Sequence, residues 1–306
     1  MKLSIVTTLY KSTSHIDNFY ERITKEACKI TDDYEIIFVD DGSPDDSLLK
    51  ALKLYKKDQK VKVLELSRNF GHHKAIMTGL SHATGNFVFL IDVDLEEKPE
   101  LLSQFWNELK NNNNLEVIYG VQEKRKGEWF ERILGGLSWK IINFLSPINI
   151  PINTVTVRIM TKLYVDSLVK YHESEIFIAG LWADVGFRQK AYGIEKLSNS
   201  TSTYTNKKRL SMLLDSITSF SSKPLVYIFN VGLLITFISS LFIIKILFDK
   251  FFHNISLAGW SSLILSIWFF GGLIILFLGV IGIYISRIFL EVKNRPNTTI
   301  KKNHKY

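Results

Sequence analysis

Asp92 and Asp94 stand two residues apart directly after the apolar run Phe87-Val88-Phe89-Leu90-Ile91, and Glu96 and Glu97 follow at once. An unbroken β-branched and aromatic run after Gly85 predicts a strand buried on both faces. Residues i and i+2 of an extended chain point the same way, so both carboxylates sit together at the strand's carboxyl end. Like charges that close repel, and a divalent cation between them turns the repulsion into binding. Hard oxygen donors suit Mg²⁺ or Mn²⁺, commonly shared with the phosphates of a substrate. In isolation an Asp-x-Asp reads equally as a solvated acidic turn; its surroundings decide.

Those surroundings are strands and helices in alternation. Leu3–Leu9 is a short β-rich run ending in Thr7-Thr8-Leu9-Tyr10, and Ser14 stands as the N-cap of a helix to about Ile30. Tyr34–Val39 predicts a second buried strand, closed by Asp40-Asp41-Gly42-Ser43-Pro44, and Asp46 or Ser47 caps a helix to about Lys57. Val61–Leu66 predicts a third strand, followed by Ser67-Arg68-Asn69-Phe70-Gly71-His72-His73-Lys74 and a helix over Ala75–Thr84. This order implies βαβ units and a parallel sheet, so the polar segments after successive strands line one cleft. Such sheets bind ligands at the carboxyl ends of their strands. Neither a Gly-x-Gly-x-x-Gly nor a P-loop is present, which leaves any phosphate to a metal ion and to Arg or Lys.

The 306 residues suffice for one sizeable domain and an appendage, and the formal charge is +8. Two long apolar runs in the last quarter make lipid, not nucleic acid, the expected partner of that basic charge. The amino terminus reads straight into Leu3-Ser4-Ile5-Val6, too short for a secretory leader, and the single Cys28 excludes an internal disulfide.

In their order, Thr-Thr-Leu-Tyr, Val-Asp-Asp-Gly-Ser, Arg-Asn-Phe-Gly-His and Asp-x-Asp-Leu-x-x-x-Pro-Glu resemble glycosyltransferase family 2. The likeness is greatest to its polyprenyl-phosphate branch, the dolichol-phosphate-mannose-synthase-like and bactoprenol-glucosyltransferase-like enzymes. It runs from Met1 to about Leu225 and includes an anchor beyond. The resemblance implies an α/β fold of GT-A (Rossmann-like) type, a nucleotide-sugar donor (UDP-, GDP- or dTDP-linked), Mg²⁺ or Mn²⁺, a polyprenyl phosphate acceptor and a homo-tetramer.

Carried over by position, the resemblance puts Thr8 and Tyr10 on the base and ribose side and Asp41, with Asp40 beside it, against a pyrimidine. It puts Arg68 near the nucleotide. Asp92 and Asp94 match the metal motif, and Glu96 replaces the usual Gln, as a ligand of the metal or of sugar hydroxyls. Gln122 replaces the first of two arginines, leaving Lys124 and Arg125 for phosphate; otherwise these form a solvated basic loop. Thr156 stands where relatives carry an Asp proposed as a base, while Arg158 is kept. A phosphate acceptor tolerates this loss, because its oxygen is already largely ionised at neutral pH with a second pKa of about 6. A sugar hydroxyl acceptor needs a base, for which Asp184 and Glu175 are candidates. Lys196, Ser202, Tyr204, Lys207 and Arg209 partly match an acceptor-binding segment; their bland alternative is a basic loop on anionic headgroups.

Residues 128–147 carry apolar side chains at helical spacing, an amphipathic helix lying on the bilayer or packed on the sheet. Leu225–Phe248 and Ser261–Ile288 are each long enough to span, roughly 36 Å for the first at 1.5 Å per residue. The expected organisation is a nucleotide-sugar and metal domain over 1–125, an acceptor-side region over 126–223, a two-helix transmembrane hairpin over 224–290 and a basic tail over 291–306. Lys293, Arg295, Lys301, Lys302 and Lys305 put that tail and the basic domain on the cytoplasmic face of the plasma membrane. Transfer of a sugar to polyprenyl phosphate is the reading; transfer to a lipid-linked sugar hydroxyl and a non-catalytic nucleotide-binding scaffold are the alternatives.

Overall fold

The computed structural model describes residues 1–112, 114–122, 150–151, 153–195, 223, 225–232, 234–235, 237–238, 241 and 259–305. The alternation read from the sequence becomes β1 (Leu3–Leu9), α1 (Ile16–Ile30), β2 (Tyr34–Asp40), α2 (Ser47–Lys57), β3 (Val61–Leu66), α3 (His72–Ser81), β4 (Phe87–Leu90) and α4 (Leu101–Lys110). β5 (Val117–Gln122), β6 (Thr154–Thr161), α5 (Lys162–Leu168), α6 (Ile178–Asp184) and β7 (Gln189–Ile194) follow, then a long helix α7 (Trp260–Val292) and a last strand β8 (Ile300–His304).

The eight strands among the described residues join one sheet in the order β7-β5-β6-β4-β1-β2-β3-β8. The four parallel strands β4, β1, β2 and β3 form its centre, and β6 and β8 run antiparallel at either side. The strand order reverses between β1 and β4, the switch point at which a crevice opens at the carboxyl edge of an open sheet. Period-2 alternation divides the central strands between two cores. Ile5, Ile36, Phe38 and Phe89 face α1, α2 and α4, whereas Val6, Ile37, Val39 and Leu90 face α3, α5 and α6.

A buried carboxylate ties together the opposite, amino-terminal edge. Glu35 accepts from Ser4 Oγ at 2.6 Å and from the backbone N and Oγ1 of Thr84, both at 2.8 Å. It also pairs with Lys62 and, at 3.3 Å, with Lys2. Burial alone would raise its pKa, but the hydrogen bonds from Lys62, Ser4 and Thr84 win and hold it at about 2. A carboxyl held below its unfolded value stabilises above that unfolded value and loses the contribution as pH falls through the folded one. Glu35→Gln is therefore expected to cost about 3 kcal/mol at pH 7. The gap from the wild-type protein should close between pH about 4.5 and about 2 in denaturation measurements. A gap independent of pH would contradict this account.

Two features of the sheet bear on the expected organisation. The boundary at residue 125 falls inside one sheet, because β6 lies between β4 and β5 and β7 pairs with β5. The alternation Val155, Val157, Ile159 against Thr156, Arg158, Met160 is a strand pattern, masked in the sequence by a buried arginine. The tail, expected as a basic extension of 291–306, returns to the domain as β8 against β3, with Lys301 Nζ 2.5 Å from Glu65 Oε1. Lysines on an edge strand also keep it from pairing further.

Phe270–Val292 within α7 is long and apolar enough to cross a membrane, with a mean hydropathy of 2.5 and no part of it buried. Among the described residues no second helix meets that measure. The described residues between 223 and 241 are helical and expose Val226, Phe229, Leu234 and Phe237. The amphipathic stretch 128–147 lies outside the described residues.

Candidate active site

The ends of β1, β2, β3 and β4 meet at one rim, and each element fixes one side chain there. β2 ends in Asp40 and Asp41, both 2% exposed. Asp41 Oδ1 accepts from Phe70 N at 2.7 Å and Oδ2 from Gly71 N at 3.0 Å. Its carboxylate thus holds the β3–α3 loop, and burial pushes its pKa up against those bonds and the nearby His72 and Arg68. Asp40 Oδ2 accepts from Ser43 N at 3.3 Å, while Oδ1 is buried with no partner among the described residues. Burial raises its pKa too, with Glu65 and Asp41 adding repulsion. Of the acidic pair expected on a pyrimidine, Asp41 is engaged by the β3–α3 loop and Asp40 keeps one buried oxygen without a partner among the described residues.

Gly42 makes this packing feasible. Its φ is +62°, and a Cβ there would lie 2.5 Å from Arg68 C and 2.6 Å from Asn69 N. Arg68 stacks on Phe70, its guanidinium carbon 4.0 Å from the ring centre. Tyr10 is exposed on the next loop, where Lys11 takes φ +55°.

The switch point itself carries a bridge that the acidic motif does not announce. His72 Nδ1 lies 3.1 Å from Thr8 Oγ1 at the end of β1, and His72 Nε2 lies 3.4 Å from Asp92 Oδ1 beyond β4. The helix expected from Ala75 begins three residues earlier. Gly71, with φ +101°, turns the chain and sends His72 and His73 into the first turn of α3. Two histidines directly behind a glycine at a strand-to-helix turn were the available signal. Asp94 Oδ1 accepts from Glu96 N at 3.0 Å, and Leu95 between them takes φ +62°, a strained setting for a side chain.

Among the described residues no group of three or more His, Cys, Asp or Glu could hold a metal ion by itself. Asp92 and Asp94 nonetheless offer hard oxygens at a partly exposed rim, the donor set of an ion that completes its shell with ligand phosphates and water. Asp92, Asp94 and Glu96 thus fit a metal shared with substrate and not a closed protein cage.

Beyond Asp92 the crevice continues along β6. A cavity of about 260 Å³ is lined by His72, His73, Glu97, Thr156 and Trp182 among others, and a second of about 210 Å³ shares Thr154, Ala179 and Trp182 with it. Arg158 is 1% exposed. It donates to Thr156 O at 3.2 Å and Val155 O at 3.3 Å, and its guanidinium carbon lies 3.0 Å from the Trp182 ring centre. Burial pushes its pKa down to about 9, with Tyr164, Tyr119 and Glu97 pulling the other way. Asp184, at the end of α6, is exposed beside Tyr171, and Glu175 is exposed on the preceding loop. Lys124, Arg125, Lys196, Ser202, Tyr204, Lys207 and Arg209 lie outside the described residues.

Comparison with known proteins gives this architecture its class. Residues 4–168 match the family model "Glycosyl transferase family 2". A putative glycosyltransferase of Mycobacterium tuberculosis (strain CDC 1551 / Oshkosh) is 47% identical over 99% of this chain and 88% of its own. A prophage-derived bactoprenol glucosyl transferase of Shigella flexneri is 30% identical over 100% of this chain and 99% of its own. Glucosyl-3-phosphoglycerate synthase from Mycobacterium tuberculosis, solved with Mn²⁺, UDP and phosphoglyceric acid, shares the fold at a TM-score of 0.51. That likeness covers 71% of this chain and 76% of the other at 14% identity. The chain belongs to glycosyl transferase family 2, and its mixed α/β sheet is the GT-A fold of a glycosyltransferase. Within the family it stands in the polyprenyl-phosphate branch, with the bactoprenol glucosyl transferases.

Proposed function

We propose that this glycosyltransferase moves a sugar from a nucleotide sugar to a polyprenyl phosphate at the cytoplasmic face of a membrane, with Mg²⁺ or Mn²⁺ at Asp92 and Asp94. The observation that carries it is the acidic rim at the sheet's switch point, in a chain whose long apolar helix returns directly to that same sheet. The full-length likeness to bactoprenol glucosyl transferases supports the acceptor, and the Mn²⁺ and UDP bound by the synthase of like fold support the donor side.

The transfer forms a bond from a phosphate oxygen to the anomeric carbon and breaks the bond from that carbon to the donor diphosphate, which leaves with the electron pair. A bound Mg²⁺ or Mn²⁺ supplies charge screening for the departing diphosphate. The protein's own part is alignment. Thr8 and Asp92 are held across the β1/β4 crevice by His72, and Asp41 sets the β3–α3 loop. Thr156 borders the cavity next to His72 and Glu97. A hydroxyl there suits an acceptor oxygen that is ionised without help. Arg158 borders the adjoining cavity with Trp182 and Thr154, where its guanidinium fixes Trp182 and the backbone of β6.

The returning strand also bears on topology. β1–β7 precede the apolar region and β8 follows it, yet all pair in one sheet. Both flanks therefore lie on one side of a bilayer, which supports an even number of crossings and a second span ahead of α7, as in a multi-pass hairpin.

Purified full-length protein in nanodiscs, given Mn²⁺, a short polyprenyl phosphate and radiolabelled UDP-, GDP- or dTDP-sugars one at a time, tests the reading. Label is expected in the organic phase with one donor. Label appearing only when a lipid-linked sugar replaces the polyprenyl phosphate would move the acceptor to a hydroxyl. Nucleotide binding without any transfer would leave a scaffold.

A further inference from the structure

His72 touches two of the site's carriers from the first turn of α3. Its side chain is 46% exposed. What sets it is α3, which packs on β1 and β2 and is further tied, at its first turn and at Thr78, by the chain on either side of α7's carboxyl end. Glu291 Oε1 accepts from Ser174 N at 2.9 Å, and Leu290 O accepts from Ser174 Oγ at 3.2 Å. Two residues on, Ile176 O lies 3.0 Å from Nδ1 of His73, the neighbour of His72. From the other side, Thr298 Oγ1 lies 2.7 Å from Thr78 Oγ1, two turns along α3. Thr299 O accepts from Ser67 N at 2.9 Å, where the loop leading to α3 begins. The end of the apolar helix thus grips α3 through loop 171–177, at Thr78, and at the root of the loop before it.

We propose that His72 is a positioning residue for Asp92 and Thr8, and that its placement depends on the docked end of α7 and β8 through Ser174–Glu291 and Thr78–Thr298. Thr8 Oγ1 lies 3.1 Å from Nδ1 and Asp92 Oδ1 3.4 Å from Nε2, so one ring stands between a hydroxyl and a carboxylate across the crevice. Groups behind a metal-binding carboxylate commonly change metal affinity 10- to 100-fold when removed. The consequence is a donor site whose competence is tied to the seating of the membrane helix. Loop 171–177 also carries Glu173, whose pKa is pushed up to about 7 by burial and by Glu291 and Asp184 against Arg287. The joint is therefore closely packed with charge.

This inference rests on the proposed donor site, and a double-mutant cycle separates the two. Bound Mn²⁺ is followed by electron paramagnetic resonance in full-length protein in nanodiscs, with UDP, GDP or dTDP and no acceptor. His72→Ala is expected to raise the apparent Kd about 10-fold, and His72→Gln, which keeps a donor toward Asp92, to recover part of it. Glu291→Ala with Thr298→Val is expected to raise it about 3-fold in the wild-type background and not at all in His72→Ala, a pattern general destabilisation does not produce. Full additivity of the two changes, or an unchanged Kd in the Glu291/Thr298 variant, overturns the inference and leaves the donor site standing. Wild-type protein that binds no Mn²⁺ with any of the three nucleotides overturns both.

Discussion

Asp94→Ala is expected to lower kcat/KM for sugar transfer by about 10³-fold or more, equivalent to about 4 kcal/mol of lost transition-state stabilisation. The donor carries a diphosphate and the acceptor is itself anionic, so the reaction brings two negative groups together. Asp94→Ala leaves Asp92 but removes one of the two hard oxygens placed to hold a cation between them. Losing the acceptor for Glu96 N removes one hydrogen bond, about 1 kcal/mol, so the variant should fold. Asp92→Ala should fall in the same way and free His72 from one partner. Wild-type transfer rates in either variant, measured with saturating Mn²⁺ and donor, would remove the metal from the mechanism.

Gly42→Ala should be the most damaging conservative change in the rim. The left-handed φ of +62° already costs a side chain about 1–2 kcal/mol. The added methyl would also lie 2.5 Å from Arg68 C and 2.6 Å from Asn69 N, backbone atoms that cannot swing aside. Together the loss should be on the order of 3 kcal/mol or more. The displaced β3–α3 loop should also loosen Asp41's grip on Phe70 and Gly71, raising the donor KM roughly tenfold. Gly186→Ala is the control. Its φ is +83°, but its nearest neighbour, Asp184 O, is at an ordinary 3.6 Å, so only the conformational cost remains. Equal losses for the two in denaturation would show that strain, and not the meeting of the two loops, governs Gly42.

Much of the donor half was legible because its signals are local. Val61–Leu66 is a strand at the residues read from its apolar run, and the strand before Asp92 ends one residue early, at Leu90. The acidic residues at the ends of β2 and β4 break two apolar runs; Asp92 and Asp94 stay partly exposed, while Asp40 and Asp41 are buried against the β3–α3 loop and Ser43. Harder to read were features that depend on partners distant in the chain. α3 starts at His72 because Gly71 can adopt φ +101°, and its histidines matter because β1 and β4 end beside them. β6 escaped notice because Arg158, an unlikely core residue by type, is accommodated by Trp182 and two backbone carbonyls.

What the amino-acid order determined by itself was the alternation of strand and helix, the carboxylates at the strand ends and the apolar stretch near the carboxyl terminus, since each follows from the character of consecutive residues. Only the tertiary structure decided that Ile300–His304 would close the sheet beside β3, that the end of α7 would fasten α3, and that His72 would link Thr8 to Asp92. Each of these joins segments dozens to hundreds of residues apart, and the free energy of such a pairing is set by what the folded sheet brings alongside, which no local run of residues encodes.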